Sequence, residues 1–234
     1  MSKVIGATVG TTYDKSKIGG SGLTAEQQAL LEKLAEWDHK QNYKQMTVSF
    51  ISGASTTCEM GSSHDIYFKW KFTQNVSSVT FNGEEVDATM EGGKWVNGIT
   101  KTSSYKVIGT RADGDKETAD ATATVSFLNK RYYGCAAMPA EVNSNFIRGL
   151  TSEFASSLKK DFSGYCSSGQ YIWYAYPKRF GKAKFYLAPK GTTNYNQCDE
   201  EPSTVSVTNG SGYPEDYYVY RNYYTGQQQE VRFL

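Results

Sequence analysis

A chain of 234 residues with 25 basic and 24 acidic side chains can bury one large core or two modest ones. Its net charge of +1 excludes binding driven by charge to a polyanion, and it has no apolar run of about 18 residues to cross a membrane as a helix. Hydrophobic residues make up 38% and aromatics 14%, with Tyr in 18 positions, a balance suited to twisted antiparallel sheets with wettable surfaces.

Residues 1–22 are rich in Gly, Thr, Ser and Lys and show no period. They read either as a tail or as an arm that orders against a neighbouring subunit. The segment 23–40 is the one clear helix. Thr24 can cap it, with Gln27 three residues on in capping-box spacing. Leu30, Leu34 and Trp37, helped by Leu31, form a single apolar stripe, and charged residues fill the far side. A helix this short is marginal alone, so the stripe must dock. It can pack on its own domain or join a parallel bundle of several copies. The preceding tail gives little to pack against, so we favour the bundle: a homo-oligomer, with a trimer as the expected state.

From 45 to 129 short alternating runs recur. Val48 and Phe50 share a face, as do Ile66, Phe68, Trp70 and Phe72, opposite Tyr67, Lys69 and Lys71. Asn82-Gly83 after Val79 and Phe81 is a hairpin signal. About seven strands and a Trp in mid-strand predict an immunoglobulin-like sandwich with Trp70 in its core, without the paired Cys of antibody domains. Asp113-Gly114-Asp115 with Glu117 fails the spacing of a calcium loop and reads as a solvated hairpin tip.

Fourteen of the Tyr residues lie after Lys130, so 130–234 is built differently. The stretch 142–150 can form a short helix or turn. From 171 to 176 every residue is apolar or aromatic. Such a strand is covered on both faces by its own chain or lies in a subunit contact. Tyr171, Trp173 and Tyr176 are therefore candidate interface or core aromatics. Pro177 ends the strand, Phe180-Gly181 turns, and the chain returns with Ala183, Phe185 and Leu187 on one face. Val205/Val207, Tyr218/Tyr220 and Val231/Phe233 complete the unit. The fold expected is mainly β: an N-terminal arm and short helix over 1–44, an Ig-like sandwich over 45–129, and a second antiparallel β-sandwich over 130–234.

Chemistry is sparse. Cys58, Cys135, Cys166 and Cys198 are far apart and only two His accompany them, which argues against zinc and reads as isolated thiols rather than disulfides. His39 and His64 lack the partners of a nucleophilic relay, and Gly61-Ser62-Ser63-His64-Asp65 is not a nucleophile elbow. Glu84, Glu85, Glu141, Asp161, Glu215 and Asp216 supply carboxylates, but nothing selects a glycosidase pair. Lys178, Arg179, Lys182 and Lys184 around Phe180 and Phe185 imitate a single-strand nucleic-acid platform; we read a solvated turn and strand face. No cofactor fingerprint is present. The expectation is a non-enzymatic protein with no cofactor or metal, no nucleic-acid partner and no membrane insertion. The start, MSKVIGATVG, lacks a signal-peptide core, which predicts synthesis in a cytoplasm.

Four motifs carry a resemblance. Tyr132-Tyr133-Gly134, Phe146-Ile147-Arg148-Gly149-Leu150, the run GQYIWYAYP from Gly169 to Pro177, and Tyr218-Val219-Tyr220-Arg221 resemble the recurring C-terminal module of tailed-bacteriophage structural proteins, which pair it with an Ig-like domain. The resemblance covers the chain from about residue 20 and implies a virion component: a tail or head fibre, or another tail or capsid appendage. It implies other virion proteins and further copies of itself as partners, and release by lysis rather than secretion. It carries no catalytic residues. An alternative is a carbohydrate-binding module that meets a host surface glycan through Trp95, Trp173 or exposed Tyr; a surface-glycan depolymerase is the third.

Overall fold

The computed structural model describes residues 24–112, 117–222 and 228–234. The expected arm over 1–22 and the Asp113–Asp115 tip lie outside the described residues. By contacts the chain divides into two compact units, Met1–Met46 and Thr47–Leu234.

In the first unit, α1 (Ala25–Asn42) begins at the expected cap. Thr24 Oγ1 accepts from the Gln27 amide at 3.3 Å, and Gln27 Oε1 accepts from the Thr24 amide at 2.9 Å. Two of the helix's orphan donors are thereby satisfied. Nothing on α1 is buried.

The second unit opens with eight strands: β1 (Val48–Ser52), β2 (Ser55–Glu59), β3 (His64–Phe72), β4 (Val76–Phe81), β5 (Glu84–Val86), β6 (Glu91–Ile99), β7 (Ser103–Arg111) and β8 (Thr118–Leu128). They make a three-stranded sheet, β1-β3-β6, and a five-stranded sheet, β2-β8-β7-β4-β5, in which β2 and β8 run parallel. The result is the Ig-like sandwich expected. The β4–β5 hairpin turns on Asn82 and Gly83, both at positive φ (53° and 84°), as a primed turn requires. Phe68, Trp70 and Phe72 point inward from β3 and are fully buried, with Val79, Phe81, Val107, Val125 and Phe127 opposite. Trp70 stacks on Phe81 at 5.3 Å. At Gly109 of β7 the facing sheet comes close: a Cβ there would stand 2.4 Å from the Phe72 ring.

Nine more strands follow: β9 (Lys130–Ala137), β10 (Thr151–Phe154), β11 (Lys160–Tyr165), β12 (Gln170–Pro177), β13 (Phe185–Pro189), β14 (Asn196–Cys198), β15 (Ser203–Thr208), β16 (Pro214–Asn222) and β17 (Gln228–Phe233), with the short helix α2 (Ser144–Arg148) between β9 and β10. The sheets are β10-β9-β12-β16-β15 and β11-β17-β13-β14. β12 is the middle strand of the first. The return strand departs from the simplest reading: β13 crosses to the other sheet and pairs with β17 and β14. Alternation fixes which residues share a face but not which neighbour the strand takes.

One reading from the sequence is overturned. Cys135 and Cys166 form a disulfide, with Cα atoms 5.3 Å apart and a sequence separation of 31, while Cys58 and Cys198 are free. Cys135 stands on β9 and Cys166 follows β11, so the bond ties the two sheets together. The spacing hid it because the pairing is made by the fold.

Candidate functional site

Two surfaces and one junction could carry function; β12 is the central strand of the core in the C-terminal sandwich. Its alternation sends Ile172, Tyr174 and Tyr176 toward the opposite sheet, where Phe185, Leu187, Val231 and Phe233 meet them. Trp173 and Ala175 point the other way, onto Ile147 of α2, Tyr132, Tyr217 and Val219. The strand is thus covered on both faces by its own chain. Trp173 and Tyr176 are buried core residues, not a contact surface, and Tyr171 is half-buried beside Trp173.

The buried tyrosines of β12 and β16 serve this core because their hydroxyls reach backbone carbonyls. Tyr133, Tyr174 and Tyr220 lie opposite one another across three strands. Tyr174 donates to the Leu158 carbonyl at 2.6 Å, Tyr176 to Gly181 at 2.8 Å, and Tyr220 to Ala183 at 3.0 Å. Trp173 Nε1 donates to the Ala136 carbonyl at 3.0 Å. Burial pushes the Tyr174 phenol up to about 12, and raises Tyr176 and Tyr217 further. These are groups kept neutral, not acids or bases poised for work near neutral pH.

The four resemblance motifs assemble here. Three lie on the adjacent strands β9, β12 and β16, and the fourth is α2, packed over them. They are fold motifs in the literal sense, since they build one core.

The candidate chemistry from the sequence disperses. Ser62 Oγ lies 2.9 Å from His64 Nε2 and 2.5 Å from the Glu59 carbonyl, but the adjacent Asp65 spends Oδ1 on the Gly98 amide. Glu84 pairs with Lys94, Asp161 with Arg232, and Glu215 with Arg179 at 2.6 Å. The basic cluster is likewise divided: Arg179 goes to Glu215, Lys182 to Glu201, and Lys178 sits over the Tyr218 ring. Among the described residues no group of three or more potential ligands could hold a metal ion, and no helix is long and apolar enough to cross a membrane.

The first surface is α1. Leu30, Leu34 and Trp37 are 60%, 53% and 61% exposed, in the order and spacing expected. The second is the outer face of β3 and β6. Trp95 is 60% exposed and sits 5.3 Å from the Tyr67 ring across the strand pair. The Tyr67 hydroxyl lies over Gly93, where a Cβ would come within 2.3 Å of it, and the Lys69–Glu91 ion pair borders the rings.

The junction joins the sandwiches and had no signal in the sequence. β8 passes to β9 through Asn129 alone, a residue 1% exposed whose Nδ2 donates to Glu215 at 3.2 Å. Asn209 Nδ2 donates to the Met60 carbonyl at 2.6 Å, and its Oδ1 accepts from the Ser211 and Tyr213 amides, each at 2.9 Å. Lys130 pairs with Glu59 at 3.3 Å, and Tyr217 donates to the Lys130 carbonyl at 2.8 Å. Polar contacts this well satisfied fix one relative placement of the two sandwiches.

No protein-family model matches the chain, and no curated protein matches its sequence. Among solved structures it is similar to the N-terminal eight Ig domains of Down Syndrome Cell Adhesion Molecule (10% identity, TM-score 0.26), over 74% of this chain and 22% of that one. It is also similar to the Bacteroides ovatus protein SGBP-B of a mixed-linkage glucan utilization locus, in complex with a mixed-linkage heptasaccharide (16% identity, TM-score 0.21), over 81% of this chain and 52% of that one. The chain thus spans under two thirds of the length of either.

Proposed function

We propose that the protein is a non-enzymatic structural component of a bacteriophage virion, a fibre or a tail or capsid appendage, in which α1 assembles several copies and the joined sandwiches are displayed. The observation that carries this reading is the exposed stripe of Leu30, Leu34 and Trp37 on a capped helix. About 1.5–3 kcal/mol per side chain is available from covering such groups, and a trimer is the state we favour. The phage assignment rests on the resemblance carried by the four motifs. The non-enzymatic part is supported by the pairing of candidate carboxylates and cations with one another.

Mass spectrometry and imaging of purified virions test it. The expected result is a defined copy number at one place on the particle, lost from virions carrying Trp173→Ala. Purified particles that lack the protein would overturn the reading, as would host polysaccharide shortened by the protein and spared when one acidic residue is replaced.

Exposed Trp95 beside half-buried Tyr67 favours a second reading, that the displayed body binds a host surface glycan. Aromatic faces stack on the apolar faces of sugar rings, and the Lys69–Glu91 pair can hydrogen-bond hydroxyls. Titration with purified host polysaccharide should show binding that Trp95→Ala removes without lowering the melting temperature. Absence of binding to the intact protein would eliminate this reading.

A further inference from the structure

The stripe on α1 carries more than an oligomeric tendency. Leu30 and Trp37 are seven residues apart, and Leu34 and Gln41 form a second series with the same step. In a coiled-coil frame Leu30 and Trp37 occupy the d positions and Leu34 and Gln41 the a positions. Gln27 continues the a series but is committed to the N-terminal cap, so the usable layers run from Leu30 to Gln41. Leu31, half-buried, widens the stripe at an e position.

Lys33 then falls at g and Asp38 at the following e. Between parallel helices a g residue faces the e residue five positions on in its neighbour, so Lys33 of each copy faces a carboxylate. An antiparallel pair that keeps Leu34 against the partner's Trp37 sets Lys33 against the partner's Lys40, a like-charge pair that occurs twice along the g flank, and sets Asp38 against the partner's Leu31 on the other. The other antiparallel setting, with Leu34 against the partner's Leu30, leaves Trp37 against the partner's Gln27. Only the parallel arrangement satisfies layers and charges together.

We propose that α1 associates with further copies of this chain in parallel and in register, with Leu30, Leu34 and Trp37 layered at the centre and Lys33 facing the partner's Asp38. This rests on the oligomeric reading above and adds direction and register to it. In a parallel bundle the chain links that follow Asn42 all emerge at one end, where in an antiparallel one they would emerge at both. The polar layer at Gln41 sits beside that exit and disfavours a slip that would bring Leu34 against it.

Four variants of the full chain test the proposal. Lys33→Asp and Asp38→Lys should each weaken association by about tenfold, reading several exposed pairs turned from attraction to repulsion. The double variant should recover the original mass in light scattering. Gln41→Cys should link copies covalently on mild oxidation, beyond any linkage of the unsubstituted chain through Cys198, because only a parallel bundle brings residue 41 to itself. An oligomer indifferent to both charge changes and unlinked through residue 41 would overturn the direction and register while leaving the oligomeric reading intact. An unsubstituted chain that remains monomeric at roughly tens of micromolar, a range in which micromolar contacts persist, would overturn both.

Discussion

α1 and β12 invest in the same kind of side chain and use it oppositely. The helix exposes Leu30, Leu34 and Trp37, while the strand buries Ile172, Trp173, Tyr174 and Tyr176 to 1% or less. β12 is stabilised by its own chain on both faces. An isolated helix of this length is marginal, so on the proposed reading α1 draws its stability from further copies. An apolar residue reports that something covers it; the identity of the cover comes from the pattern around it. On β12 that pattern is apolar throughout, and on α1 it is one stripe against a charged background.

The sharpest way to break this contrast is to empty the buried side. Trp70→Ala and Trp173→Ala should each cost about 3–5 kcal/mol, a large part of a domain's stability, read as a lowered denaturation midpoint. The two tryptophans differ in a way a gentler change can expose. The Trp173 indole donates to Ala136, whereas Trp70 Nε1 has no partner among the described residues. Trp173→Phe deletes a hydrogen bond and Trp70→Phe removes an unsatisfied donor, so the first should destabilise more than the second. Equal losses would show that volume alone matters at both sites.

Next in size is the disulfide. Opening Cys135–Cys166 by reduction, or by a Cys135→Ser/Cys166→Ser double variant, should cost about 2–4 kcal/mol. The loss should fall on the C-terminal sandwich and leave the Ig-like one unchanged, which protection of amide hydrogens can resolve.

A smaller effect appears with pH. The folded Tyr174 holds its proton up to about 12 because it is buried, while in the unfolded chain it gives it up near 10. Its contribution is fully present below about pH 10 and is lost as pH rises toward 12. Melting temperatures should fall across that window, and less steeply in Tyr174→Phe. An identical slope would mean that other groups set the alkaline limit.

The smallest effect on folding should come from the helix. Leu34→Asp is expected to reduce the mass in light scattering while the thermal unfolding of the β body stays in place. A body that melts earlier would show that the stripe supports its own chain.

Much of this was legible along the sequence because it is local. The Thr24–Gln27 box, the Asn82-Gly83 turn, the inward face of β3 and the apolar run of β12 each declare themselves within a few residues. Elements defined by distant partners did not. Ala183, Phe185 and Leu187 reveal a face, yet nothing near them says that the strand crosses to β17. Cys135 and Cys166 lack a spacing that marks a pair, and Asn209 looks like any residue of an Asn-Gly-Ser-Gly turn. Of the candidate surfaces, the α1 stripe had a helical period to announce it. The outer face of β3 and β6 had only a lone Trp95, since its neighbour Tyr67 and the space above Gly93 come from strand pairing.

The junction at Asn209 also bears on the order in which the molecule forms. The Asn209–Met60 hydrogen bond closes a separation of 149 residues, a long excursion for the chain to bring together. Its geometry requires the β2–β3 turn in one sandwich and the β15–β16 turn in the other to be in place already. Such a contact is expected to form late, after the transition state. Asn209→Ala would then leave the refolding rate nearly unchanged and raise the unfolding rate. The bond acts as a latch on the finished body, governing how long it persists rather than how fast it is made.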